Sequence, residues 1–147
     1  MEEKLKKVIL LSPYYYPEPF PINSFIESLK KKTSKITIIT SIPNYRNYGY
    51  YKNFSIFGPY SKKIDNIQIF RLPVIPRFNN KFLGIFLFYS SFFILSSIFL
   101  FFFSLFNRKK YDHFLTFCGS PVYVGFIGII FSKFINCRNS LWVQDIW

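Results

Sequence analysis

Few residues in this chain combine a reactive type with a suggestive position, and the carboxylates come first. Asp145 lies in Val143-Gln144-Asp145-Ile146-Trp147, directly after a run that reads as a strand. A carboxylate there can accept a hydrogen bond from a substrate hydroxyl or assist a proton transfer. It can equally cap a helix or brace a loop. Glu18 sits between Pro17 and Pro19, in a loop stiffened because proline fixes its own φ and restricts the residue before it. That stiffness suits a preorganised substrate contact and a plain structural loop alike. Asn44-Tyr45, Ser120-Pro121 and the Lys62-Lys63 pair are weaker candidates, the lysines reading first as a solvated face. The single histidine, His113, falls inside a strand-like run, which argues for a structural role. Cys118 and Cys137 stand at no metal-ligand spacing and read as buried free thiols. No Walker loop and no Gly-x-Gly-x-x-Gly follow the first strand, and metal ligands at helical spacing are absent.

The elements that must position these residues alternate. Val8-Ile9-Leu10-Leu11, stopped by Ser12-Pro13, reads as a buried strand of a parallel sheet. A helix is expected from about Ser24 to Lys32, capped by Asn23 or Ser24, with Phe25, Ile26 and Leu29 on one face. Lys35 to Thr40, Ile67 to Leu72, Tyr111 to Phe117 and Ser140 to Gln144 supply four more strands. Ser41 to Lys63 reads as one long connection. Pro121 suits the first turn of a helix reaching about Phe134. The pattern predicts an α/β fold, a Rossmann-like parallel sheet with helices on both faces. Ligands gather at the carboxyl edge of such sheets. The segments Pro13 to Pro21, Ser41 to Tyr51, Cys118 to Pro121 and Asp145 to Trp147 are therefore expected on one rim.

Composition narrows the partners. Lys and Arg number 19 against 7 Asp and Glu, and the chain holds 21 Phe and 11 Tyr. The basic surplus favours anionic partners. It falls in short clusters beside apolar segments, without a zinc-finger, basic-zipper or RNA-recognition pattern, so nucleic acid is not an expected partner. The amino-terminal apolar run lacks a small-residue cleavage site, which argues against a secretory signal and leaves the cytoplasm as the expected compartment.

Phe82 to Phe106 carries no charge and exceeds the ~20 apolar residues a spanning helix needs. Basic residues flank it on both sides, Arg77 and Lys81 before it and Arg108, Lys109 and Lys110 after it. A span would put the third and fourth strands on opposite sides of the bilayer, and one sheet could not then hold both. The paired serines Ser90-Ser91 and Ser96-Ser97 also argue against uniform lipid exposure. The expectation is a crossover helix with one face on the sheet and the other in the membrane interface. Phe82, Phe86, Phe93 and Phe102, with the flanking Arg77, Lys81, Arg108, Lys109 and Lys110, would meet lipid.

Taken in order, the rim segments carry a resemblance. Tyr14-Tyr15-Tyr16-Pro17-Glu18-Pro19, Thr40-Ser41-Ile42-Pro43-Asn44-Tyr45, Ile69-Phe70-Arg71-Leu72-Pro73, Gly119-Ser120-Pro121 and Val143-Gln144-Asp145-Ile146-Trp147 together resemble the amino-terminal domain of retaining family-4 glycosyltransferases with the GT-B fold. The likeness is greatest to bacterial O-antigen, capsule and exopolysaccharide enzymes of the fucosaminyltransferase-like and colanic-acid types. It implies an acceptor-binding half that holds a polyprenyl-diphosphate-linked sugar at the cytoplasmic membrane face. It further implies a second domain carrying a nucleotide-sugar, commonly UDP-linked, with no metal or other cofactor required. Asp145 would then be a catalytic candidate, and Pro17, Glu18, Pro19, Asn44, Tyr45, Ser120 and Pro121 substrate contacts. Where the family usually has a small residue near the donor phosphates, this chain has Phe20-Pro21-Ile22-Asn23. The sequence stops where the family continues into its donor domain, so this half is expected to be inactive alone. A non-catalytic membrane-associated docking subunit, or a gene remnant, is the alternative.

Overall fold

Six strands and three helices are present in the computed structural model, which describes residues 6–45, 49–78, 82–119 and 122–144. The strands are β1 (Lys6–Leu11), β2 (Thr33–Ser41), β3 (Ser61–Ile64), β4 (Ile67–Leu72), β5 (His113–Cys118) and β6 (Arg138–Val143). They form one sheet in the order β3-β4-β2-β1-β5-β6. All neighbours pair in parallel except β3, which runs antiparallel to β4. The five parallel strands thus follow the Rossmann order, 3-2-1-4-5 when numbered along the chain.

The helices are α1 (Pro21–Lys30), α2 (Phe82–Asn107) and α3 (Val124–Ile135). They divide between the two faces of the sheet, as the two cores show. Leu10, Ile36, Ile38, Ile67 and Ile69 pack with Ile22 and Ile26 of α1. On the other face, Ile9, Leu11 and Ile39 pack with Phe88 and Phe92 of α2 and Ile127 and Phe131 of α3. The alternation of side chains along each strand produces this division. The predicted Rossmann-like α/β architecture, with a long apolar crossover helix, is the one observed.

α2 is 26 residues long and, by length and composition, apolar enough to cross a membrane. It nevertheless connects β4 to β5, two strands of the same sheet. Apart from Tyr89, its buried residues Gly84, Phe88, Phe92, Ser96, Leu100 and Ser104 recur every four residues, forming a ridge along one face. Ser96 and Ser104 return their hydroxyl protons to the carbonyls of Phe92 (2.6 Å) and Phe101 (2.8 Å). These small residues can therefore lie in the contact face without leaving an unpaired polar group.

Three sequence expectations need correction. α1 begins at Pro21, with extended Phe20 before it, and neither Asn23 nor Ser24 caps it. Proline's fixed φ and missing N–H suit the first helical position. Asn23 instead donates through Nδ2 to the Glu18 carbonyl at 2.6 Å. Within the expected long connection, Ser61–Ile64 forms β3, joined to β4 by Asp65-Asn66. Asp65 adopts φ 50° there, a conformation that Asp and Asn tolerate. Finally, α3 starts only at Val124, after a turn at Val122-Tyr123, so the first helical turn lies beyond Pro121, itself outside the described residues.

α3 lies very close to β5 at one point. A Cβ on Gly128 would overlap Thr116 Oγ1 and stand 3.1 Å from Thr116 Cβ. Gly128→Ala is therefore expected to destabilise the chain by about 1–3 kcal/mol through overpacking, despite alanine's better helix propensity. Thr116 Oγ1 has no hydrogen-bond partner among the described residues, so adding Thr116→Ala should recover much of that loss. Urea midpoints of the single and double variants check this; an unchanged midpoint for Gly128→Ala would refute the close approach.

Candidate functional site

At the carboxyl edge of the sheet, the loops after β1, β2 and β4 converge. Ser12 and Ser41, both buried, fix the first two. Ser12 Oγ donates to the Tyr14 carbonyl, and Ser41 Oγ donates to the Pro13 carbonyl, each at 2.6 Å. Glu18 then ties the loops together. It is fully buried, and its Oε1 accepts the backbone N–H groups of Asn44 (2.8 Å) and Tyr45 (2.7 Å). Asn44 extends the link. Its Nδ2 donates to the Ile42 carbonyl at 2.7 Å, and its Oδ1 accepts the Arg77 N–H at 3.2 Å. Three segments far apart in sequence thus meet around one carboxylate and one amide.

Beside them lies an aromatic group centred on Tyr14. Its ring stacks on Phe20 and Phe88 and meets Tyr45 edge-on. The Tyr14 hydroxyl donates to the Tyr89 hydroxyl (3.3 Å) and accepts from Arg77 Nη1 (3.2 Å). Arg77 also lies over the Tyr45 ring, 5.5 Å from its centroid. Burial pushes the Tyr14 phenol far above its ordinary value, so it stays protonated and serves as a hydrogen-bonding strut.

Glu18 is the electrostatically unusual group. Burial pushes its carboxyl up to about 7, against the opposing pull of the Tyr45, Asn44 and Tyr15 N–H groups and of Arg71. Among the described residues its buried Oε2 has no hydrogen-bond partner, and neither do Nε and Nη1 of Arg71. Arg71 is itself buried. Its Nη2 donates to the Tyr16 carbonyl at 3.1 Å, and its guanidinium lies over Phe54. An unsatisfied acceptor and unsatisfied donors therefore sit near each other, a demand that a group able both to donate and to accept would meet.

The sequence-derived candidates fare unequally. Glu18, Asn44 and Tyr45 come together as one hydrogen-bonded unit. Pro17 and Pro19 flank Glu18, half-buried and exposed respectively. Asp145, Ser120, Pro121 and Lys81 lie outside the described residues, although the Gln144 N–H donates to the Cys118 carbonyl at 3.0 Å, bringing the ends of β5 and β6 together. His113 begins β5, at the end of that strand away from the rim. Its Nε2 lies 2.9 Å from Ser140 Oγ, and burial, with Arg138 and Lys6, lowers its pKa. Burial raises the thiol of Cys118, and pushes that of Cys137 up to about 11 with help from Asp112, so both are poor nucleophiles. Among the described residues, no group of three or more His, Cys, Asp or Glu could hold a metal ion.

Two of the residues expected at lipid are half-buried. Arg77 is half-buried within the rim network, because its backbone and guanidinium are both committed to the β1 and β2 loops. Phe93 is half-buried, turned edge-on to Tyr123 just before α3. Phe82, Phe86, Phe102, Arg108, Lys109 and Lys110 are exposed. Tyr14, Tyr89 and Arg71 were not singled out from the sequence as site residues. An arginine within the apolar alternation of Ile67 to Leu72 is the signal that could have marked Arg71.

No family model, no curated protein and no solved structure matches the chain.

The raised Glu18 pKa makes stability depend on pH. A carboxyl whose folded-state pKa exceeds its unfolded value contributes stability at low pH, and that contribution is lost as pH rises through the folded value. From pH 5 to pH 8 the wild-type chain should lose roughly 2 kcal/mol through Glu18. Glu18→Gln keeps an acceptor for the two N–H groups and should lack this component. Denaturation midpoints at the two pH values provide the check, and parallel behaviour of the two proteins would count against it.

Proposed function

We propose that the chain is the acceptor-binding half of a retaining GT-B glycosyltransferase. In the completed enzyme, a sugar would pass from a nucleotide-sugar, of the UDP-linked class, to a polyprenyl-diphosphate-linked glycan at the cytoplasmic face of the membrane. The observation that carries this reading is the Glu18 clamp. It joins the Tyr14-to-Pro19 and Asn44-Tyr45 stretches, two of the segments bearing the family resemblance, at the carboxyl edge of a Rossmann-type sheet. Ligands of open α/β sheets gather at that edge.

The chemistry of the rim agrees with a glycan carrying a diphosphate. The half-buried rings of Phe20 and Tyr45 border this rim and offer aromatic surface to a sugar, with buried Tyr14 packed behind them. Arg77, beside them, supplies a guanidinium suited to phosphate. In this reading Glu18 and Asn44 hold the loops in position, Arg77 binds the diphosphate, and Tyr14 fixes Arg77. The donor sugar would approach from a second, nucleotide-binding unit, since transfer requires both substrates to be held in one geometry.

The same reading makes the protein monotopic. α2 leaves Phe82, Phe86, Ile94, Ile98, Phe102 and Phe106 exposed on its outer side while its other side packs on the protein. An interfacial helix presents such a face to lipid. A span is disfavoured because β4 and β5, at either end of α2, share one sheet.

The test is binding and turnover by the chain alone. It should bind a polyprenyl-diphosphate-linked sugar presented in vesicles, bind UDP-sugars negligibly, and transfer no sugar. Arg77→Ala should weaken acceptor binding by about tenfold, in line with loss of one hydrogen bond to a charged group. Transfer at an ordinary enzymatic rate without a donor-binding unit, or tight UDP-sugar binding with no acceptor binding, would sink the assignment.

A further inference from the structure

α3 contributes its own apolar surface beside that of α2. Phe126, Ile130 and Phe134 are exposed along it, so the two helices together make a layer wider than α2 alone provides. Between their carboxyl-terminal ends runs a groove of about 600 Å³, lined by Leu105 and Arg108 on one side and Ile130, Lys133 and Phe134 on the other. That volume lies within the range of small-ligand sites. Apolar side chains form its walls, two cations stand in its lining, and no acidic residue among those described lines it.

The groove lies far from the candidate acceptor site. Arg108 and Lys133 sit at the ends of α2 and α3 from which β5 and β6 begin, and the Lys109 N–H donates to the Ile135 carbonyl at 2.7 Å there. This is the amino edge of the parallel strands, whereas Glu18, Asn44 and Arg77 stand beyond the carboxyl edge. Cations near helix carboxyl termini are favoured by the helix dipole whatever their function. That effect explains why basic residues occur here, but it does not explain an apolar channel leading to them.

We propose that this groove binds an anionic phospholipid of the bilayer. One acyl chain would lie along Leu105, Ile130 and Phe134, with the headgroup phosphate between Arg108 and Lys133. Charge complementarity selects the ligand, since the two exposed cations flank the apolar groove and can meet a headgroup phosphate while its walls meet an acyl chain. The inference rests on the membrane-facing reading of α2, but not on the glycosyltransferase reading. It assigns α3 a part in lipid binding and gives the site a chemical preference that apolar contact alone would not.

Flotation of the full chain with phosphatidylcholine vesicles, neutral or doped with phosphatidylglycerol, tests the proposal. The wild-type chain should bind both, and the doped vesicles at least about tenfold more tightly. Arg108→Glu with Lys133→Glu should abolish that preference while leaving neutral binding intact. Lys31→Glu with Lys32→Glu makes the same change in net charge on the α1 side of the sheet and should preserve it. A dispersed short-chain phosphatidylglycerol should compete, and glycerol phosphate should not. Circular dichroism establishes that the compared variants are folded. Equal loss in both double variants, or equal competition by glycerol phosphate, would overturn the groove site. Equal wild-type binding to the two vesicle types would do the same while leaving membrane contact in place. Binding to neither type would overturn the membrane-facing reading and this inference with it.

Discussion

β4 and β5 stand in one parallel sheet, and the 26-residue helix between them has to return the chain across that sheet. The rest of the structure follows from this connection. It requires a contact ridge on α2, which explains the small residues Gly84, Ser96 and Ser104 among the large ones. It leaves the opposite side of a strongly apolar helix without cover from the chain itself. It also places α3 next to α2, because β5 and β6 lie on the flank of β1 towards which α2 crosses. A helix whose composition alone would suit the bilayer interior is thereby held beside a sheet.

The rim depends on a different device. Parallel strands deliver their loops to a common edge, but they do not dictate how those loops sit against one another. A buried carboxylate settles the matter here, because Oε1 of Glu18 answers two backbone N–H groups that would otherwise need partners. The arrangement has an energetic cost, visible in the raised carboxyl pKa and in the unpartnered Oε2. Asn44 transmits the same ordering to Arg77. The β4 loop is thus positioned by residues that belong to the β1 and β2 loops.

Much of the sheet was legible in the sequence because its strands are short apolar or β-branched runs bounded by proline, serine or glycine. Val8 to Leu11 and Lys35 to Thr40 needed no tertiary information. β3 escaped because its four residues are all exposed and include the lysine pair, so no hydrophobic periodicity marks them; only the Asp65-Asn66 turn could have. The start of α1 was misplaced because Asn23 has the chemistry of a cap, yet its amide serves the Glu18 carbonyl. Arg77 was read as a helix flank because it is near α2 in sequence, whereas its partners Tyr14 and Asn44 are remote. Glu18 could be singled out from its proline neighbours, but its burial depends on loops from other strands and is not a local property.

The crossover also bears on the order in which the chain can acquire its structure. β1, α1, β2, β3 and β4 are all translated before α2, and their pairings with one another are complete without the remaining strands. α2 emerges next, while α3, β5 and β6 are still unmade, and domains assemble progressively during synthesis. For that interval the apolar helix has the half-built sheet to pack on but not yet its neighbour α3. Only after α2 can β5 reach β1, a pairing that joins residues as remote in sequence as Leu10 and Leu115. The pairing that joins the two halves of the sheet is therefore the one that has to wait for the crossover helix.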